Sequence, residues 1–169
     1  MLRELTQPTV TERMTAAQFF ALPEQTKAEL IDGIFYNRAT PPIANARLNG
    51  FLLTLLGFFV DNNELGEVFP SRTALYINEF NVLEPDLMFI HGKNALLIDE
   101  RAVRGAPHLV VEIVFQSDLS NKRVLYQAIG VKEYWVIHPK NARKTTFYRL
   151  ENGRFTEMPI VDGLSLIHI

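Results

Sequence analysis

The chain has no cysteine in its 169 residues. That excludes disulfides, thiolate-bound zinc or iron–sulfur centres and a cysteine nucleophile, and it fits a reducing compartment. Positive charge is not in excess either: 17 Lys plus Arg stand against 19 Asp plus Glu, a net charge of −2. A basic domain is the usual electrostatic footprint of a nucleic-acid binder; this chain lacks one overall, and only a local basic groove stays open. Long apolar runs are missing. The most apolar stretch, Phe51 to Val60, is too short to span a bilayer and runs into Asp-Asn-Asn-Glu. The start carries no charged-then-apolar leader pattern. Repeats, low-complexity segments and linkers are also absent. With 47% hydrophobic residues the expectation is a cytoplasmic protein that makes no use of a membrane. It should form one domain over 1–169, with 1–13 as a loose tail.

What is present is an alternation of helical and extended patterns. Thr15 followed by Gln18 forms a capping box for a short helix through Leu22, closed at Pro23. Lys27 to Ile31 and Ile34 to Arg38 read as two strands around Asp32-Gly33, a strong hairpin signal. Leu48, Phe51, Leu52, Leu55, Leu56 and Phe59 keep a helical period, which predicts a helix ending at Asn62-Asn63 with this stripe packed on a sheet. Strands are expected at Leu65 to Phe69, Thr73 to Asn78, Leu87 to Ile90 and Lys132 to Ile137, with a helical turn around Ile98 to Val103. Thr145 to Leu150 and Arg154 to Met158 flank Asn152-Gly153, a second hairpin, and Leu164 to Ile169 is a terminal apolar strand expected to be buried against this or another subunit. The order implies an α/β domain, bordering on α+β, with a mixed central sheet and helices on its faces.

One stretch stands out. Leu109 to Phe115 is an apolar, β-branched run, read as a strand buried on both faces, yet Glu112 sits in its middle. A lone buried carboxylate costs several kcal/mol, so Glu112 must be paired, protonated or bound to a metal. In the next helix Leu119, Lys122, Leu125, Tyr126 and Ile129 share one stripe, which turns Lys122 inward. A structural ion pair explains Glu112 equally well, and a snorkelling stem explains Lys122. Asp86 opens another buried strand directly after Pro85. Two carboxylates and a lysine together suit a hard divalent cation such as Mg²⁺, which keeps several waters and commonly takes one or two protein carboxylates plus phosphate oxygens. That points to phosphodiester hydrolysis.

Several pieces appear in order: Glu29-Leu-Ile-Asp-Gly33, Gly66-Glu-Val68, Pro85-Asp86-Leu, Gly105-Ala-Pro107, Val110-Val-Glu112, Lys122 with Tyr126, and Gly130-Val-Lys-Glu-Tyr-Trp135. Over roughly residues 15 to 150 they resemble the small bacterial family of restriction-endonuclease-like proteins within the PD-(D/E)xK nuclease superfamily. The resemblance implies a restriction-endonuclease-like core and a Mg²⁺-dependent DNA endonuclease, with Mn²⁺ as a substitute ion. It casts Asp86 and Glu112 as metal ligands and Lys122 as a catalytic cation. Glu29 would be the early acidic residue that completes the cluster or binds a second ion.

The sequence departs from the pattern in places. Val114 occupies the superfamily's usual lysine position, the segment between Glu112 and Asp118 is shorter and more apolar than is usual, and Asn45 stands where relatives often carry His. These departures, with the acidic balance, keep a second reading open: an idle nuclease fold that binds nucleic acid or a protein partner. A carboxylate-pair glycosidase ranks last, because it leaves Lys122 without a role. Tyr126, Tyr134 and Trp135 read as core aromatics, His138 and His168 as isolated, and Lys140, Arg143 and Lys144 as a solvated turn within reach of phosphate. A chain this small would need a homodimer to cut both strands of a duplex.

Overall fold

The computed structural model describes residues 13–23, 26–114, 120–161 and 164–165. Residues 1–12 of the expected tail, Leu119, and the end of the C-terminal apolar piece lie outside the described residues. Thr15 caps α1 (Ala16–Phe20) reciprocally with Gln18, as the sequence predicts. β1 (Ala28–Ile31) and β2 (Ile34–Asn37) form the expected hairpin, with Asp32 and Gly33 at φ of 52° and 76°, the left-handed pair a tight two-residue turn requires. Next come α2 (Ile43–Asn62), β3 (Gly66–Pro70), β4 (Leu75–Asn78), β5 (Asn81–Leu83) and β6 (Leu87–His91). A 3₁₀ turn at Gly92–Leu97 leads to β7 (Val103–Arg104), β8 (Leu109–Ile113), α3 (Ser120–Ile129) and β9 (Glu133–Ile137). A second 3₁₀ turn, Ala142–Lys144, precedes β10 (Thr146–Glu151), β11 (Arg154–Glu157), β12 (Ile160–Val161) and β13 (Leu164–Ser165).

The strands form two mixed sheets and a small ribbon. One sheet has the order β2-β1-β5-β4-β7 and the other β11-β10-β9-β8-β6-β3, while β12 and β13 pair with each other. In the larger sheet β8 runs parallel to β9 and antiparallel to β6, and all of β8 is buried, as its apolar run predicts. Alternation splits its side chains between two cores. Leu109, Val111 and Ile113 pack with α2 through Leu56 and Val60. Val110 faces the other way, into a core shared with Tyr126 of α3 and with Leu75 and Leu83 of the smaller sheet. Glu112 takes this second direction, because it is two residues along from Val110.

Four expectations need correction. The sheet expected to be single is two, joined by the short span from β5 through Glu84-Pro85-Asp86 to β6; β5 itself, only Asn81–Leu83, was too short to show a period. The helical turn expected around Ile98 to Val103 lies earlier, at Gly92–Leu97, and Ile98 and Val103 instead bridge as strands. The stripe on α2 is not one face on the sheet. Leu48, Leu52, Leu53, Leu56 and Val60 pack inward, while Phe51, Leu55 and Phe58 are 62%, 52% and 71% exposed and Phe59 is 43% exposed. The helix is apolar around most of its girth, so periodicity could not say which side would be covered. Its full span, Ile43–Asn62, is also long and apolar enough by length and composition to cross a membrane, a span the shorter Phe51 to Val60 run did not reveal.

Candidate active site

The site forms where the two sheets meet. Leu87 of β6 stands opposite Val111 of β8 in antiparallel register, and continuing that register by one residue sets Asp86, just before β6, beside Glu112 on the same face. Asp86 Oδ2 accepts from the Ile113 N–H at 2.7 Å. The carboxylate thereby takes the place of a ladder acceptor just where β6 begins.

Lys122 closes the cluster from α3. Its Nζ donates to Glu112 Oε1 at 3.0 Å and to Glu29 Oε1 at 2.7 Å. Tyr126, one helical turn on, donates its hydroxyl to the same Glu112 oxygen at 2.7 Å. Glu29 Oε1 also accepts from the Glu84 N–H at 2.8 Å, so the carboxylate on β1 ties the smaller sheet to the crossover into the larger one. Lys122, Glu29 and Glu112 are all buried. The helical stripe thus placed Lys122 correctly, and the partner it requires is a pair of carboxylates. Tyr126 is buried as expected for a core aromatic but carries a polar role as well, unlike Tyr134, whose buried hydroxyl has no hydrogen-bond partner among the described residues.

Two residues that sequence reasoning missed complete the cluster. Arg38, just past β2, holds Asp86 Oδ1 through Nη2 at 3.0 Å. Its Nη1 donates to the Glu84 carbonyl and lies 3.7 Å from Glu84 Oε2. The motif Leu-Glu-Pro-Asp could have flagged Glu84 as a second acid beside Asp86; nothing local marks Arg38, whose partner lies 48 residues away. Two asparagines of α2 support the frame: Asn45 Nδ2 donates to the Ile113 carbonyl and Asn49 Nδ2 to the Asp86 carbonyl, both at 3.1 Å. Asn45 is therefore a buried brace for the strand end that carries Glu112.

Electrostatics sharpen the roles. Burial pushes the Glu112 carboxyl up, against the pull of Lys122, and the charges on Glu29 and Asp86 push it further. Burial also raises Glu84, with Arg38 opposing. Burial alone would lower Lys122, but Glu112 and Glu29 outweigh it and hold the ammonium above the ordinary lysine range. Glu112 and Lys122 thus pull the pair in different senses. The direction we stand behind is a charged Lys122, because it has two carboxylate partners at hydrogen-bond distance.

Four carboxyl groups, Glu29, Glu84, Asp86 and Glu112, are held by two cations, Arg38 and Lys122, with Arg72 also acting on Glu84, which leaves an acidic excess that a proton or a further cation would balance. An all-carboxylate donor set suits a hard ion such as Mg²⁺. Among the described residues no group of three or more Asp, Glu or His side chains is arranged to hold one ion. A Mg²⁺ site made of Asp86, Glu112, waters and phosphate does not need a third. The structure thus brings Asp86, Glu112, Lys122 and Glu29 together. A cavity of about 340 Å³ between α1 and the smaller sheet touches the cluster only through Glu84 and is not where the carboxylates converge.

Comparison with known proteins agrees with this fold. A crystal structure of "a putative nuclease" from Anabaena variabilis superposes with a TM-score of 0.72 at 16% identity, covering 86% of this chain and 84% of that one; at that identity the likeness is one of fold. No curated protein matches the sequence. The profile of the Uma2 family, described as "Putative restriction endonuclease", matches residues 16–168. With the nuclease-like fold in place, the chain belongs to this family, which is consistent with the PD-(D/E)xK-like restriction endonucleases its sequence motifs resemble.

Proposed function

We propose that the protein is a Mg²⁺-dependent endonuclease that hydrolyses DNA phosphodiester bonds, with Mn²⁺ able to replace Mg²⁺. The observation that carries the reading is the buried Lys122 ammonium, bridging Glu29 and Glu112 on the sheet face that Asp86 shares. Asp86 and Glu112 would hold the ion, which when bound would supply Lewis-acid stabilisation of charge on the phosphorus oxygens. Lys122 is held charged, so it acts as a hydrogen-bond donor and fixed positive charge towards a phosphate oxygen or attacking water, not as a base. Glu29 and Tyr126 position the lysine and Glu112 rather than touching substrate.

Two copies acting together would cut both strands. The exposed Phe51, Leu55 and Phe58 of α2 recur at helical spacing on one side, and a two-fold axis across that stripe would make it self-complementary. One observation favours the idle-binder reading: both Asp86 oxygens already hold protein donors.

Purified wild type, Asp86→Asn and Lys122→Met should be compared on plasmid and on single-stranded DNA with Mg²⁺ or Mn²⁺. Metal-dependent cleavage by wild type is expected, with turnover lowered by about a hundredfold or more in both variants. Cleavage persisting unchanged in both variants would mean a contaminating nuclease. A folded wild type that cuts no DNA with either ion would move the assignment to the idle binder.

A further inference from the structure

Arg38 occupies the position where a cation would be expected to act. Asp86 Oδ2 is committed to the Ile113 N–H, which leaves Oδ1 as the oxygen free of the backbone, and Arg38 Nη2 sits on it at 3.0 Å. The guanidinium also reaches the Glu84 carbonyl and faces the Glu84 carboxyl. It thus supplies positive charge to the outer half of an acidic cluster whose inner half, Glu29 and Glu112, is served by Lys122. The two cations differ in how firmly they are held. The Lys122 side chain is 10% exposed and bonded to two carboxylates, whereas the Arg38 side chain is 24% exposed. Its backbone is fastened independently, by its N–H to the Lys27 carbonyl at 2.8 Å, so the side chain can turn away without unzipping the hairpin.

We propose that Arg38 is a resident counter-ion for Asp86 that competes with the divalent cation, and that its guanidinium leaves Asp86 when the cation binds. This rests on the reading of Asp86 as a cation ligand. A guanidinium and a divalent ion on one carboxylate oxygen repel each other, so each weakens the other's hold. Removing the guanidinium therefore improves the site for metal and impairs the protein without metal, whereas a guanidinium that merely braces the fold would lower stability under both conditions.

The test is Mn²⁺ titration by calorimetry at low ionic strength on the full chain, with thermal melts with and without Mn²⁺, for wild type, Arg38→Gln, Arg38→Lys and Asp86→Asn. Arg38→Gln should bind Mn²⁺ tighter than wild type by about tenfold or more. It should melt lower than wild type without metal, and Mn²⁺ should close that gap. If Arg38→Gln does not fold, Arg38→Lys decides, since loss of the planar fork should still tighten Mn²⁺ binding. Equal or weaker Mn²⁺ binding by the folded Arg38 variant, while Asp86→Asn abolishes binding, overturns the role of Arg38 and leaves the metal site standing. Binding that Asp86→Asn does not weaken, or no binding by any protein, overturns the metal reading and this inference with it.

Discussion

Lys122 shows how one side chain can serve stability and chemistry together. It is the cation shared by two buried carboxylates, so its removal leaves Glu112 and Glu29 facing each other in the core without it. Breaking such a pair typically costs about 3–5 kcal/mol, so Lys122→Met is expected to lower stability as well as turnover. The cost depends on pH. Burial raises the Glu112 pKa above the ordinary 4.5, and a carboxyl raised in the folded state contributes stability that is present below its unfolded value and lost as pH rises through its folded one. In wild type the Lys122 ammonium offsets part of that loss, and its own raised pKa keeps it charged until the pH passes the ordinary lysine value of 10.5. Without it, Glu112 regains stability only by taking up a proton. Urea melts should therefore show Lys122→Met far below wild type near pH 8, with the gap narrowing towards about pH 5. A gap that stays constant or widens on acidification would show that Glu112 does not carry the cost.

At the level of elements, the site depends on β6 and β8 lying in register, and β3 holds β6 from the other side. Gly66 opens β3 opposite His91 with φ +144°, and a Cβ there would meet the Ile90 carbonyl oxygen at 2.1 Å and the Gly92 nitrogen at 2.6 Å. Both obstacles are backbone, so neither can step aside without separating the strands. Gly130 also has positive φ, +88°, but open space around it. Gly66→Ala is expected to cost several kcal/mol or prevent folding, whereas Gly130→Ala should cost about 1 kcal/mol, the left-handed backbone penalty alone. Chemical unfolding of the two variants side by side checks this; comparable losses would mean that the approach of β3 to β6 is not tight.

For the whole molecule, the question is what lies on α2. Its inner side covers the larger sheet, and its outer side exposes Phe51, Leu55 and Phe58, an apolar stripe of the kind that marks interaction surfaces. Sedimentation of the wild type is expected to show a dimer, and Leu55→Glu with Phe58→Glu should convert it to a monomer with an unchanged circular dichroism spectrum. A wild type that sediments as a monomer would overturn the dimer, and a double variant that remains a dimer would place the second copy elsewhere; binding of wild type to lipid vesicles would assign the stripe to a membrane surface.

Local signals determined much of this protein. The capping box at Thr15, the Asp32-Gly33 and Asn152-Gly153 hairpins, the buried run of β8 and the inward turn of Lys122 were legible because each rests on contacts within a few residues or on a strict side-chain period. The ordered motifs carried the family and, with it, the grouping of Glu29, Asp86, Glu112 and Lys122. The tertiary structure alone decided the rest. The sheet divides in two because the chain turns at Glu84-Pro85-Asp86, which no period marks. Which side of α2 is covered depends on what the sheet presents to a helix that is apolar nearly all round. Arg38 meets Asp86 across a sequence separation of 48 residues. Its role is invisible in the sequence because the charge it balances exists only where the two sheets come together.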